Sequence, residues 1–133
     1  MTKVFLDTSF IIALAFDNDD NNKRAVELLD VLNEDCYINN SIVNEVVTVS
    51  NNKGDSTTAR TMFNFLIDNF TIINEYKIVN YNSKTIVNFE KFNGKLGFTD
   101  SGIITTILEH DIKKLVTFDK AFKKEDRIEV ISF

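Results

Sequence analysis

The sequence predicts an α/β fold in three α/β/α layers, built on a mostly parallel sheet of about five strands. Three observations carry that reading. Five short runs are apolar without alternation, as in strands buried on both faces. Runs with helical period lie between them. Strands and helices therefore alternate, and right-handed crossovers put helices on both sides of the sheet.

The strand runs are Val4–Leu6, Cys36–Ile38, Thr71–Ile73, Leu115–Thr117 and Ile128–Ile131. Ala25, Leu28, Leu29 and Leu32 share one helical face and predict a helix after the polar loop from Asp17 to Arg24. Ile42, Val43, Val46, Val47 and Val49 form the broad apolar face of a second helix, with Ser41 as its N-cap. The third runs from Ala59 to Phe70 behind Ser56, also a candidate cap. Ala59, Met62, Phe63, Leu66 and Phe70 make its buried stripe, and Phe65 falls off it. Ile103, Ile104, Ile107 and Leu108 mark a late helix, capped by Thr99. Gly94 and Gly97 belong to a loop, since no Lys-Ser/Thr pair follows as in a phosphate-cradling loop.

Composition narrows the function. With 133 residues, one domain over 1–133 is expected. The charge balance is 15 basic against 20 acidic side chains, a net charge of −5, which excludes a nucleic-acid binder that relies on bulk positive charge. One Cys excludes a disulfide framework and a multi-cysteine zinc site, and Cys36 reads as a small buried hydrophobe. No apolar run approaches ~20 residues, and the N-terminal segment lacks a signal-peptide core. A cytoplasmic protein without a membrane span is expected.

The acids carry the chemistry. Open parallel sheets form their sites beyond the carboxyl ends of the strands. Asp7 ends the first strand and Asp119 follows the fourth. Glu45 lies one turn into the helix after the second strand, about 40° beyond the edge of its apolar arc, so it points along the sheet rim. Asp100 opens the late helix, whose positive end favours its ionised form. Like charges gathered this way raise one another's pKa unless a cation intervenes. Hard carboxylate oxygens suit Mg²⁺ or Mn²⁺. Four carboxylates balance two divalent ions, which about 4 Å apart form a clamp for in-line attack on a phosphodiester.

The segments VFLDTSFII (4–12), IVNEVVT (42–48), GFTDSGIITT (97–106) and LVTFDKAF (115–122) resemble the PIN-domain family in order and spacing. The similarity is strongest to its small VapC-type toxin ribonucleases. It implies a metal-dependent endoribonuclease, leaving 5′-phosphate and 3′-hydroxyl ends, in a type II toxin–antitoxin pair. By resemblance, Asp7 and Asp100 are the main metal ligands, with Glu45 and Asp119 completing the catalytic set. Ser9 matches a hydroxyl that orients the first acid, and Thr117 a small polar residue before the fourth. Phe118 departs from the polar or basic residue common there. The resemblance also implies an RNA substrate, a homodimer, and a small antitoxin seated in an apolar groove beside the Ala59–Phe70 helix.

The densest basic segment, Lys113 to Arg127, is expected to be mostly a solvated face. Within it Lys120 is the candidate phosphate contact, with Lys91 and Lys95 as second choices. His110 reads as a helix-end residue. Other readings are a PIN domain for RNA processing and a non-catalytic PIN module that binds RNA or protein. A haloacid-dehalogenase-type phosphotransferase needs a second Asp where Ser9 stands. A receiver-type domain needs paired acids after strand one, but Asp7 stands alone.

Overall fold

The computed structural model describes residues 1–131. Five strands, β1 (Lys3–Leu6), β2 (Asp35–Asn39), β3 (Thr71–Ile73), β4 (Lys114–Val116) and β5 (Glu129–Ile131), form one sheet. All its pairings are parallel, in the order β3-β2-β1-β4-β5. Six α-helices are interspersed: α1 (Thr8–Ala15), α2 (Asn22–Glu27), α3 (Asn40–Lys53), α4 (Ser56–Asn69), α5 (Tyr81–Lys91) and α6 (Phe98–Glu109).

The strand order explains the layers. From β1 the chain moves through β2 to edge strand β3, then returns across the sheet to β4. Right-handed crossovers place helices of the outward and return paths on opposite faces. Accordingly α1 packs on α2 and α3, and α3 on α4, while α5 packs on α6. The direction reverses between β1 and β4, which opens a crevice at their carboxyl ends.

The core is continuous across the sheet, with Phe5, Leu6, Phe10, Ile38, Ile42, Leu66, Ile103, Ile107 and Phe122 fully buried. α6 is buried on nearly every side from Ser101 to Ile107. Its Gly102 faces Tyr81 so closely that a Cβ there would lie 2.0 Å from the tyrosine hydroxyl. Any larger residue there would displace the Tyr81 ring.

Several expectations need correction. Ala25 to Leu32 is not one helix: α2 ends at Glu27, and Leu29–Asn33 continues as a 3₁₀ helix. Only Ala25 is buried there, and Leu29 is exposed. The caps fall on neighbours of the predicted residues. Asn39 rather than Ser41 caps α3 by accepting from the Ile42 N–H. Asp55 rather than Ser56 caps α4 by accepting from the Thr58 N–H. Thr99 is not a cap, because α6 starts at Phe98 behind Gly97. On α4, Phe63 is exposed, whereas Phe65 is partly buried edge-on against Phe70. α1 and α5 lay outside the predicted helices.

Candidate active site

Asp7 sits between β1 and α1, at the β1/β4 crevice. Its own N–H donates to the Val116 carbonyl at 3.0 Å, locking the loop onto β4. It occupies the N-cap position of α1, yet its side chain makes no capping bond. Aspartate is among the best caps available. Here its carboxylate is turned elsewhere, and Oδ2 accepts from the Ser9 hydroxyl at 2.8 Å and the Thr117 hydroxyl at 2.7 Å.

Proton accounting shows how firmly these hydroxyls are set. Each has one proton to donate, and each accepts in return. Ser9 Oγ takes the Phe118 N–H at 3.0 Å, and Thr117 Oγ1 takes the Asp119 N–H at 3.0 Å. The two hydroxyls thus tie the segment after β4 to the loop after β1. Phe118 adds an apolar contact, its ring 6.2 Å from that of Phe10. Asp119 begins the 3₁₀ helix Lys120–Lys124, and its Oδ1 accepts from the Ala121 N–H at 2.9 Å.

Glu45 is held by the way α3 begins. Asn39 caps it from inside the chain. From beyond β3, the fully buried Glu75 adds a carboxylate to this amide cap. It accepts from the N–H groups of Asn40 and Ser41, each at 2.9 Å, and from the Ser41 hydroxyl at 2.8 Å. A negative charge at a helix N-terminus is stabilised by the peptide dipoles. This anchor fixes the start of the helix that carries Glu45 one turn later.

The four predicted acids come together. Asp7, Glu45, Asp100 and Asp119 line one open cavity of about 380 Å³ at the carboxyl edge of the sheet. Their electrostatics are unfavourable as they stand. Burial raises the pKa of Asp7, against its two hydroxyl bonds, and the charge of Asp119 adds to the rise. Burial, then the charge of Asp7, raises Glu45. Burial and the charges of Asp7, Glu45 and Asp119 push Asp100 up to about 7. Glu45 Oε1 is moreover buried without a hydrogen-bond partner. Among the described residues no group of three or more His, Cys, Asp or Glu side chains is placed to hold a metal ion as they stand. The carboxylates surround an open space instead, and a hard cation is the chemistry that the orphaned oxygen and the mutual repulsion fit.

Ser9 and Thr117 join this cluster through Asp7. Lys120, Lys91 and Lys95 are not among the cavity-lining residues. Lys91 lies 3.8 Å from the buried Glu125 carboxylate and 3.5 Å from Asp126. Arg127 also pairs with Glu125 and donates to Asn88 on α5 at 3.0 Å. These partners hold Glu125 below its usual pKa, in spite of its burial. Residues that sequence reasoning missed also line the cavity: Thr8, Asp19, Asn21 and Lys53. Lys53 alone carried a readable signal, standing two turns beyond Glu45 in the row Glu45-Val49-Lys53.

The PIN domain family model matches residues 4–128. The chain belongs to the PIN-domain family. Several solved structures share its fold over nearly the whole length. VapC20 of Mycobacterium tuberculosis, a toxin that cleaves the sarcin-ricin loop, superposes with a TM-score of 0.79 at 18% identity, covering 96% of this chain and 98% of that one. VapBC2 of Rickettsia felis, bound to a DNA fragment from its promoter, gives 0.73 at 15% identity, with 98% of each chain covered. VapBC-1 of nontypeable Haemophilus influenzae gives 0.70 at 18% identity, again over 98% of each. Comparison with curated protein sequences returns no match.

Proposed function

We propose that this PIN domain is an endoribonuclease dependent on Mg²⁺ or Mn²⁺, and the toxin of a type II toxin–antitoxin pair. The observation that carries the proposal is the convergence of Asp7, Glu45, Asp100 and Asp119 on one cavity, with a buried oxygen of Glu45 unpartnered. Asp7, Glu45 and Asp100, their pKa values raised around an open space, make a site suited to positive charge. Asp7 and Asp100 would hold the principal cation, with Glu45 and Asp119 completing the set. Such a cation supplies Lewis acidity toward a phosphodiester and lowers the pKa of water.

The protein's own contribution is orientation. Ser9 and Thr117 hold Asp7 in one rotamer by both bonding Oδ2. Thr117 ties Asp119 to the same unit through its N–H. Glu75 and Asn39 set the origin of α3 and hence the reach of Glu45. A bound cation would favour the charged forms of Asp7, Glu45 and Asp100, which burial and repulsion disfavour. Lys120, opening the turn after Asp119, serves as a flanking phosphate contact.

The toxin assignment draws on the VapBC assemblies among the similar folds and on a groove in this chain. Ile11, Leu14, Leu29, Leu32, Met62 and Phe65 line an apolar cleft of about 420 Å³ between α1, the 3₁₀ helix after α2, and α4. A short amphipathic antitoxin helix fits such a groove. The protein acts as a homodimer in the cytoplasm; among the described residues no helix is long and apolar enough to cross a membrane.

The test is cleavage of a mixed panel of single-stranded and structured RNAs with Mg²⁺, with Mn²⁺ and with EDTA, beside Asp7→Asn. Metal-dependent cutting lost in the variant, with its circular dichroism unchanged, is the expected result. Metal binding without cleavage of any RNA would favour a module that only binds, and equal cutting by both proteins would remove Asp7 from the site.

A further inference from the structure

We infer that Lys53 is a second phosphate contact, inside the cavity where Lys120 flanks it, holding the RNA backbone next to the phosphodiester that the carboxylates address. This rests on the ribonuclease reading above and adds a protein cation to the cavity, separate from the metal ion. A phosphodiester carries negative charge, and the cavity is lined by five carboxylates, those of Asp7, Asp19, Glu45, Asp100 and Asp119. Among the described residues Lys53 is the single Lys or Arg side chain lining it.

Its placement is built. Glu45, Val49 and Lys53 descend one row of α3, and all three line the cavity. Eight residues along a helix span about 12 Å. The long Lys side chain leans back toward the helix N-terminus and recovers part of that distance. Lys53 therefore reaches a neighbouring phosphate rather than the scissile one. The corner beyond it is equally constrained: a Cβ at Gly54 would lie 2.6 Å from the Thr58 hydroxyl, so α3 turns into α4 at this place only with glycine. The ammonium group rests 5.6 Å from the centre of the Phe16 ring. Among the described residues no ion pair neutralises it. A cation held by an aromatic face stays available to an anion, whereas Lys91, Lys84 and Lys113 are each committed to carboxylates.

The experiment measures steady-state cleavage of whichever panel RNA the wild type cuts fastest, across a salt series. Wild type is compared with Lys53→Met, Lys53→Arg and Lys113→Met. The last removes the same charge just before β4, at the sheet edge away from the cavity. Lys53→Met should raise KM about tenfold at low salt with kcat nearly unchanged, since a charged hydrogen bond to substrate is lost. The slope of log kcat/KM against log salt should become shallower by about 0.7, the value for one single-strand phosphate contact. Lys53→Arg should retain wild-type behaviour. An unaltered salt slope in Lys53→Met, or equal changes in Lys113→Met, overturns the assignment while leaving the ribonuclease intact. Failure of the wild type to cut any RNA overturns the ribonuclease reading and this inference with it.

Discussion

Replacing Asp100 by Asn should stabilise the metal-free protein, and only at neutral to alkaline pH. In the fold, burial and the charges of Asp7, Glu45 and Asp119 raise its pKa from the ordinary 3.8 to about 7. Below about pH 4 both the folded and unfolded states carry the proton, so the site costs nothing. Between about pH 4 and pH 7 the unfolded chain releases a proton that the fold retains, and stability falls as pH rises. Above about pH 7 the cost is complete. At about 1.4 kcal/mol per factor of ten, the ceiling is about 4 kcal/mol. The side chain is partly exposed, so water and counter-ions reduce the realised cost to about 1–2 kcal/mol. Asn keeps the shape and removes the charge. Thermal unfolding in EDTA, followed by circular dichroism, should show Asp100→Asn melting about 4–8 °C above wild type near pH 8 and level with it near pH 4. Excess Mg²⁺ should close the gap by stabilising the wild type, since a ligand that binds only the folded state adds to its stability. Equal melting at pH 8, or the same gain at pH 4, would refute the like-charge account.

Two other substitutions probe the scaffold around the acids. Glu75→Gln replaces an acceptor pair at the start of α3 with one oxygen and one donor group. One of the Asn40 and Ser41 N–H bonds is then lost, and urea unfolding should report about 1–3 kcal/mol of destabilisation; an unchanged midpoint would show that Asn39 suffices as the cap. Thr117→Val removes the bond to Asp7 and the acceptor for the Asp119 N–H. Because that bond lowers the Asp7 pKa, its loss should raise it further and move the acid limb of the pH–rate profile to higher pH. A profile that stays in place would mean Ser9 alone sets the charge of Asp7.

The sheet was legible because each strand centres on a short apolar run, and in the central strands β1 and β4 burial leaves little choice of residue. Val4–Leu6 was readable for this reason, and Thr71–Ile73, on the sheet edge with only Ile73 buried, from its apolar run alone. Asp7 and Asp119 could be assigned to the functional edge from chain direction alone, since a parallel sheet has one carboxyl end. α5 was less legible. Its contact with α6 depends on polar groups, with Asn88 donating to Thr105 and Thr85 bonded to Thr105, and apolar periodicity does not report those. The helix predicted from Ala25 to Leu32 broke because matching period is only permission to bury a face, and the fold covers Ala25 but leaves Leu29 at a groove.

Local sequence thus determined the strands, the layered α/β class and the supply of acids at strand ends, because these follow from side-chain period and chain direction. The tertiary structure decided which distant groups meet. It turned the Asp7 carboxylate away from its cap and toward two hydroxyls, one of them 110 residues along the chain. It brought Glu75 to the start of α3 from 35 residues downstream. It also placed Lys91 beside Glu125 and Lys53 at the cavity. A long, exposed lysine has many conformers of similar energy, and only its neighbours in three dimensions select among them.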